Sequence, residues 1–192
     1  MPSRSDIFAP SQYYHVYNRG TGRGNIFFNP GNYEYLVQLV KRYIQPCGIS
    51  VIAYCLMPNH YHFLLRQETE IPLSKFINVT FNANVQAVNK QQDRSGTLFE
   101  GRYRLAIVDN WGYLVHICRY IHFNPVKAGL VNKPEEWPYS NYADWIGLRH
   151  GTLKDDDFIL DHFSSADDYI QFVSEYGKEI EMAKNISKYL FE

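Results

Sequence analysis

The sequence predicts an α+β fold in which an antiparallel or mixed β-sheet is covered by helices. Two observations lead to this prediction. Extended and helical segments follow one another in the order β-α-β-β-α-β-α, and two of the extended segments are separated only by the turn pair Pro58-Asn59. This order packs helices against a shared sheet. Parallel neighbours need a long crossover, so the short turn argues against a doubly wound parallel sheet.

The elements are justified in chain order. Residues 13–18 are rich in β-formers and predict the first strand, and residues 32–45 repeat apolar side chains at helical spacing behind Asn32, a suitable N-cap. Residues 49–57 are apolar enough for a buried strand, and residues 61–66 form the strand that pairs with it.

The second half of the chain continues this pattern. Residues 74–91 predict an amphipathic helix, residues 99–108 predict a strand, and Asp109 or Asn110 caps a helix that Pro125 ends at about Asn124. Beyond Pro134 the pattern is weaker, and it predicts helices at 166–176 and 178–190.

The charge is divided unevenly along the chain. The net charge of the 192 residues is −1, but residues 1–133 hold 14 basic and 7 acidic residues, whereas residues 134–192 hold 5 and 13. A body of +7 beside a segment of −8 can be a sign of nucleic-acid binding that the total conceals. We expect one catalytic domain over residues 1–150 and an acidic helical extension over 151–192. The extension either serves solubility or lies over the basic surface and competes with its ligand.

Composition also excludes several classes of protein. The longest apolar run covers residues 51–57, far short of the ~20 residues that span a bilayer, and the N-terminus lacks the apolar stretch of a signal peptide. The three cysteines form no CxxC pair, and their odd number suits a reducing compartment. We therefore expect a cytoplasmic protein, associated with the nucleoid when it binds DNA, whose cysteines are core residues.

Four residues could share one site. On a strand, His60 and His62 project to the same side, and on the following helix Tyr120 and Asn124 lie one turn apart on a polar face. Alone, each has an ordinary explanation, such as surface exposure, packing or capping. Together, two imidazoles and an amide oxygen can hold Mg²⁺ or Mn²⁺, and the tyrosine can act as a nucleophile, which suits phosphoryl transfer.

Four sequence blocks, at residues 56–65, 98–104, 120–130 and 137–142, are similar in the same order to those of the REP-associated tyrosine transposases, which are single-tyrosine HUH enzymes related to IS200. The resemblance covers roughly residues 12–145. It implies a ferredoxin-like or RRM-like HUH fold and a metal-dependent strand transferase that cleaves and rejoins single-stranded DNA beside palindromic hairpins. It also implies that Tyr120 forms a 5′-phosphotyrosine, while His60, His62 and Asn124 bind the metal.

The DNA contacts are predicted from basic residues near these blocks. Arg102 and Arg104 share one face of the predicted strand and can reach phosphate oxygens. Three further candidates are Arg19, Arg66 and Lys127. The alternatives to an active transposase are a domesticated hairpin-binding protein with little catalysis and a metal-dependent hydrolase that uses water. The active form is a monomer or a homodimer.

Overall fold

Four antiparallel strands form the central sheet. A computed structural model describes the chain over residues 8–190, with side chains over residues 8–180 except Trp111. The strands are Tyr13–Arg19 (β1), Ile49–Met57 (β2), His60–Gln67 (β3) and Arg104–Val108 (β4), and they are arranged in the order β2-β3-β1-β4. Every neighbouring pair is antiparallel, so the predicted α+β fold is confirmed in its antiparallel form.

The helices lie on both faces of this sheet. They are Pro30–Cys47 (α1), Leu73–Gln91 (α2), Trp111–Lys127 (α3), Tyr142–Trp145 (α4), Asp156–His162 (α5) and Ala166–Leu190 (α6). Helices α1 and α2 pack on one face, and α3 packs on the other face together with α4, α5 and α6. Among the described residues, no helix combines the length and the apolar character needed to cross a bilayer.

Alternation along the strands produces two separate cores. On β1, Tyr14 and Val16 are fully buried toward α1 and α2, whereas Tyr13 is buried toward α3. The prediction that the cysteines are core residues is confirmed, since Cys47, Cys55 and Cys118 are all buried and unpaired. His60 and His62 lie on the face of the sheet that α3 covers, and α3 is the helix that carries Tyr120, called here the tyrosine helix.

Helix α1 is 18 residues long and extends beyond the predicted range of 32–45 at both ends. Asn29, rather than the predicted Asn32, is its N-cap: the Asn29 side chain accepts a hydrogen bond of 3.2 Å from the backbone N–H of Asn32. Pro30 occupies the first helical position, where its missing N–H costs nothing. The helix ends where Gly48 adopts a left-handed conformation with φ 61°.

The predicted strand over 99–108 begins only at Arg104. The preceding residues cross the end of the sheet as an irregular segment, held by a bridge between Gly20 and Phe99 and by a 3.0 Å hydrogen bond from the Asn18 amide to the Gly101 carbonyl. Strand pairing stops here because the side chain of Asn18 takes the place of a strand partner. Arg102 therefore precedes β4 instead of lying on it.

Pro125 does not end the tyrosine helix, contrary to the prediction. Helix α3 continues to Lys127, and the N–H of Ala128 still bonds the carbonyl of Asn124 at 2.9 Å. Proline lacks only its own N–H, so one bond to the Ile121 carbonyl is lost close to the helix end. The turn that carries Asn124 is therefore helical.

The C-terminal segment is more regular than predicted. A single helix, α6, replaces the two predicted over 166–176 and 178–190, and α4 and α5 were not predicted. Phe158 of α5 and both Tyr169 and Val173 of α6 are buried in the core beneath α3. This part of the chain thus contributes to the hydrophobic core that supports the tyrosine helix.

Candidate active site

His60 and His62 lie at the start of β3 and face helix α3. Their ring centroids are 5.2 Å apart with the rings nearly perpendicular. His62 is buried and His60 is half-buried at the mouth of a cleft. The structure therefore brings the two histidines together on one face, as their spacing predicted.

A third histidine, His15 on β1, belongs to the same cluster and was missed by the sequence analysis. Its Nε2 lies 3.0 Å from Nδ1 of His62, and the two rings stack at 5.2 Å. The antiparallel register pairs Tyr17 with His62, which brings His15 diagonally opposite that residue. The available signal was the position of His15 on the same face of β1 as Tyr13 and Tyr17.

Ring hydrogen bonds orient both histidines that were predicted to bind the metal. Nδ1 of His60 donates to the side-chain oxygen of Asn59 at 2.7 Å, and Nδ1 of His62 is engaged by His15. No described residue hydrogen-bonds to Nε2 of either ring. Metal-binding histidines are usually held in this way, with one nitrogen fixed by a neighbour and the other left for the ion.

Burial keeps these imidazoles neutral. Desolvation lowers the pKa of His15 to about 4 and also lowers the pKa of His60. The pKa of His62 lies well below its usual value, first because of burial and then because of the neighbouring His15, His60 and Lys127. Neutral rings keep a lone pair on Nε2, so the residues present fit a divalent cation.

Helix α3 brings Tyr120 to this cluster. The phenol ring stands edge-on to His62, with ring centroids 5.5 Å apart, and edge-on to His15 at 6.3 Å. The Lys127 ammonium lies 5.5 Å from the centre of the Tyr120 ring. The predicted nucleophile and two of the three predicted metal ligands, the histidines, thus occupy one site.

Asn124, the third predicted metal ligand, forms no hydrogen bond with either histidine among the described residues. Its side chain is only 7% exposed, and its amide nitrogen donates to the backbone carbonyl of Tyr120 at 3.0 Å. The amide oxygen, the atom that would bind a metal, has no hydrogen-bond partner among the described residues. Within that same part of the chain, no group of three or more His, Cys, Asp or Glu side chains is arranged to hold a metal.

A cleft of about 420 Å³ opens in front of the cluster and is strongly basic. Arg102 and Arg104 both line it, but they do not share a strand face as predicted, because only Arg104 lies on the strand. Arg19 also lines it and is paired with Glu100, the one carboxylate among the lining residues. Arg23 completes the set; its signal in the sequence was its place in the glycine-rich loop after β1.

Arg66 lies outside this cleft. It is six residues along β3 from His60, about 20 Å in an extended strand. Its guanidinium is engaged by Glu68 at 2.7 Å and by Asp155 at 2.8 Å. The structure therefore does not bring Arg66 together with the other predicted DNA contacts, while Lys127 stays close through its contact with Tyr120.

A buried polar network holds the tyrosine helix in place. His122 of α3 donates from Nε2 to the side-chain oxygen of Asn141 at 2.8 Å and accepts at Nδ1 from the hydroxyl of Tyr169 at 2.5 Å. Asn141 also accepts from the N–H of Tyr54 and donates to the carbonyls of Ile52 and Leu153. The network links α3 to β2, to the 137–142 block and to α6.

Comparison with known proteins decides the family. Residues 9–124 match the family model described as IS200-like transposase, which is more than half of the chain. The protein belongs to the IS200-like transposase family. The matched region of this transposase includes His15, His60, His62, Tyr120 and Asn124.

Two known proteins similar to this chain are REP-associated tyrosine transposases. A curated REP-associated tyrosine transposase of Haemophilus influenzae (strain ATCC 51907 / DSM 11121 / KW20 / Rd) is 23% identical over 122 residues, covering 57% of this chain and 69% of the relative. The solved structure of a REP-associated tyrosine transposase bound to a REP hairpin matches with a TM-score of 0.65 at 18% identity. It covers 81% of this chain and 94% of that chain. The recognised family and its fold are therefore confirmed.

Proposed function

We propose that this transposase cleaves and rejoins single-stranded DNA beside hairpins, with Tyr120 as the nucleophile. The observation that carries the proposal is the edge-on approach of the Tyr120 ring to His62, 5.5 Å between centroids, at a cleft lined by arginines. A hydroxyl, neutral imidazoles and guanidinium groups in one cleft suit attack on a phosphodiester.

The proposed reaction exchanges one phosphate ester for another. The phenolic oxygen of Tyr120 attacks the scissile phosphorus, and the bond from phosphorus to the 3′ oxygen of the preceding nucleotide breaks. The phenolic proton is lost and the leaving oxygen gains one, which gives a 3′-hydroxyl and a 5′-phosphotyrosine. Attack of a 3′-hydroxyl on that ester reverses the step, joins the strands and restores Tyr120.

His60 and His62 would hold Mg²⁺ or Mn²⁺ through Nε2, with the Asn124 amide oxygen as the third ligand. When bound, such an ion polarises a non-bridging phosphate oxygen and offsets charge that develops at phosphorus. His15 and Asn59 keep the two imidazoles oriented for this purpose.

The basic residues would hold the phosphates on either side of the scissile bond. Arg102 and Arg104 are exposed and free to form bidentate contacts. The Arg19–Glu100 pair is also exposed, so it is weak and a phosphate can replace the carboxylate. Lys127 lies near the Tyr120 ring, where its charge stabilises an approaching phosphate. The structural relative was solved with a REP hairpin, which supports hairpin DNA as the partner of this chain.

Covalent capture tests the proposal. A labelled hairpin with single-stranded flanks is incubated with the full chain and Mn²⁺, and the protein is denatured and analysed for a labelled adduct. We expect an adduct with the wild type, none with Tyr120→Phe, and normal adduct with Tyr113→Phe. Tyr113 is the matched control because it lies on the same helix and is 65% exposed.

Each of the other outcomes would assign this protein a different function. Hairpin binding with no cleavage at all describes the domesticated binding protein. Cleavage that survives Tyr120→Phe describes a hydrolase that uses water. Either result would overturn the proposed strand transfer.

A further inference from the structure

A second pocket, of about 440 Å³, lies on the opposite side of the sheet from the active-site cleft. It is formed between helix α2 and the irregular segment that precedes β4. Asn18, Gly101 and Arg102 line both cavities, so the two lie back to back across the end of the sheet. Nothing in the proposed chemistry makes use of this pocket.

Aromatic rings form much of its wall. Tyr61 and Phe81 stack with ring centroids 4.3 Å apart, and Phe99 meets Tyr61 edge-on at 5.7 Å. Phe99 and Tyr103 are only partly buried, and both line the cavity. Flat apolar walls of this kind are the surfaces on which unpaired nucleobases stack.

A stripe of small polar side chains lines the helix side. Ser74, Asn78 and Asn82 follow one another at four-residue intervals on α2, so they share one face. No described residue hydrogen-bonds to these side chains. A carboxamide offers both a donor and an acceptor, the pair of groups that matches the edge of a base.

Asn18 and Gly101 form the border between the two cavities, and a hydrogen bond between them holds it in place. Asn18 is 8% exposed, and its amide holds the Gly101 carbonyl at 3.0 Å. A Cβ added at Gly101 would meet no atom within 4 Å, so the space above this residue is open. A DNA strand can cross at Gly101 with a phosphate against Arg102 on the cleft side and its base on the α2 side.

We infer that this pocket binds one unpaired nucleobase adjacent to the scissile phosphate and sets the sequence preference of the transposase through Asn78 and Asn82. The inference rests on the proposed function, since it assumes single-stranded DNA in the cleft. The lining has no acidic side chain among the described residues, and its one cation lies at the border. Aromatic walls with an amide edge suit a base better than a free anion or a wholly apolar ligand.

The test measures base preference without cleavage. The full chain carrying Tyr120→Phe is used to select binders from a pool of DNA hairpins whose unpaired flanks are randomised. We expect one flank position to show a preferred base. Adding Asn78→Ala and Asn82→Ala should reduce that enrichment about tenfold, because a lost base contact is worth this much discrimination. Gln86→Ala, an exposed α2 residue outside the pocket, should leave it unchanged.

A second variant tests the crossing point. Gly101→Val adds a side chain in open space, so the thermal unfolding midpoint should stay the same while the preference is lost. An unchanged preference in either pocket variant, or no preference at all in the parent, would overturn the inference. If the Tyr120 adduct still forms, the proposed strand transfer stands without it. If the base preference depends on the pocket but the wild type forms no adduct, the pocket inference stands and only the proposed strand transfer is overturned.

Discussion

At the scale of single residues, the chemistry of the site depends on which nitrogen of each histidine carries the proton. A His62 ring that offers its Nε2 lone pair must carry the proton on Nδ1, and His15 Nε2 must then accept it across 3.0 Å. His15 in turn carries its own proton on Nδ1. The half-buried His15 ring is therefore a positioning residue that selects one tautomer of His62.

Replacing His15 should weaken metal binding. His15→Phe keeps an aromatic ring that can stack on Tyr17 but removes the acceptor for His62, so we expect Mn²⁺ affinity to fall by roughly 10–100-fold. Titration calorimetry of the full chain measures this. His116→Phe is the control, because His116 is exposed and its ring contacts Phe172 of α6 instead of the histidine cluster. Equal affinities for the wild type and His15→Phe would show that the hydrogen bond has no role.

The structure brings predicted residues close together where the informative pattern was local. His60 and His62 are two positions apart on one strand, and Tyr120 and Asn124 are one turn apart on one helix. His15 reaches the site through strand pairing with a segment 47 residues away, which no local spacing encodes. Arg66 shares a strand with the histidines but lies at its far end, beside Asp155.

At the scale of elements, the position of α3 determines whether Tyr120 meets the histidines. His122 anchors the helix from within through Asn141 and Tyr169, all three buried. Asn141 is the centre of the network because its side chain also serves β2 and the Leu153 carbonyl. Buried groups left without partners cost about 1–3 kcal/mol each.

The network predicts an order of stabilities. Tyr169→Phe removes one hydrogen bond and should lower the free energy of unfolding by about 1–3 kcal/mol. Asn141→Ala removes four bonds and leaves His122, the Tyr54 N–H and two carbonyls without this partner, so the loss should be clearly larger. Urea unfolding of both variants measures the difference. A smaller effect of Asn141→Ala than of Tyr169→Phe would contradict the central role of Asn141.

Element boundaries were less predictable than element order. Gly177 separates the two helices predicted over 166–176 and 178–190, yet it lies inside α6, where a Cβ would come within 2.8 Å of the Phe123 ring. Here glycine permits a close approach between α6 and α3. Pro125 likewise suggested a helix end, although its only cost is one hydrogen bond near the last turn of α3. At Gly177 tertiary packing outweighed local propensity, whereas at Pro125 the local cost was small.

At the scale of the whole molecule, the acidic segment is part of the fold that supports the site. Phe158, Tyr169 and Val173 are buried beneath α3, and Asp155 pairs with Arg66 away from the cleft. Among the described residues, none after Tyr120 lines the active-site cleft. The packing therefore favours a structural role for this segment over competition with DNA. Glu181, one of its acidic residues, lies outside the described side chains.

Truncation should consequently unfold the protein, whereas charge neutralisation should leave folding and DNA binding nearly unchanged. Deleting residues 152–192 removes the buried Phe158 and Tyr169, each of which contributes about 3–5 kcal/mol, so we expect the cooperative thermal transition to be lost. Asp157→Asn, Asp161→Asn and Asp167→Asn together remove exposed charge while keeping the core, so this variant should fold and bind the hairpin within about twofold of wild type. Asp155 is left intact because it caps α5 through the N–H of Phe158. A truncated chain that unfolds cooperatively, or a neutralised chain that binds DNA tenfold more tightly, would favour the competing role instead.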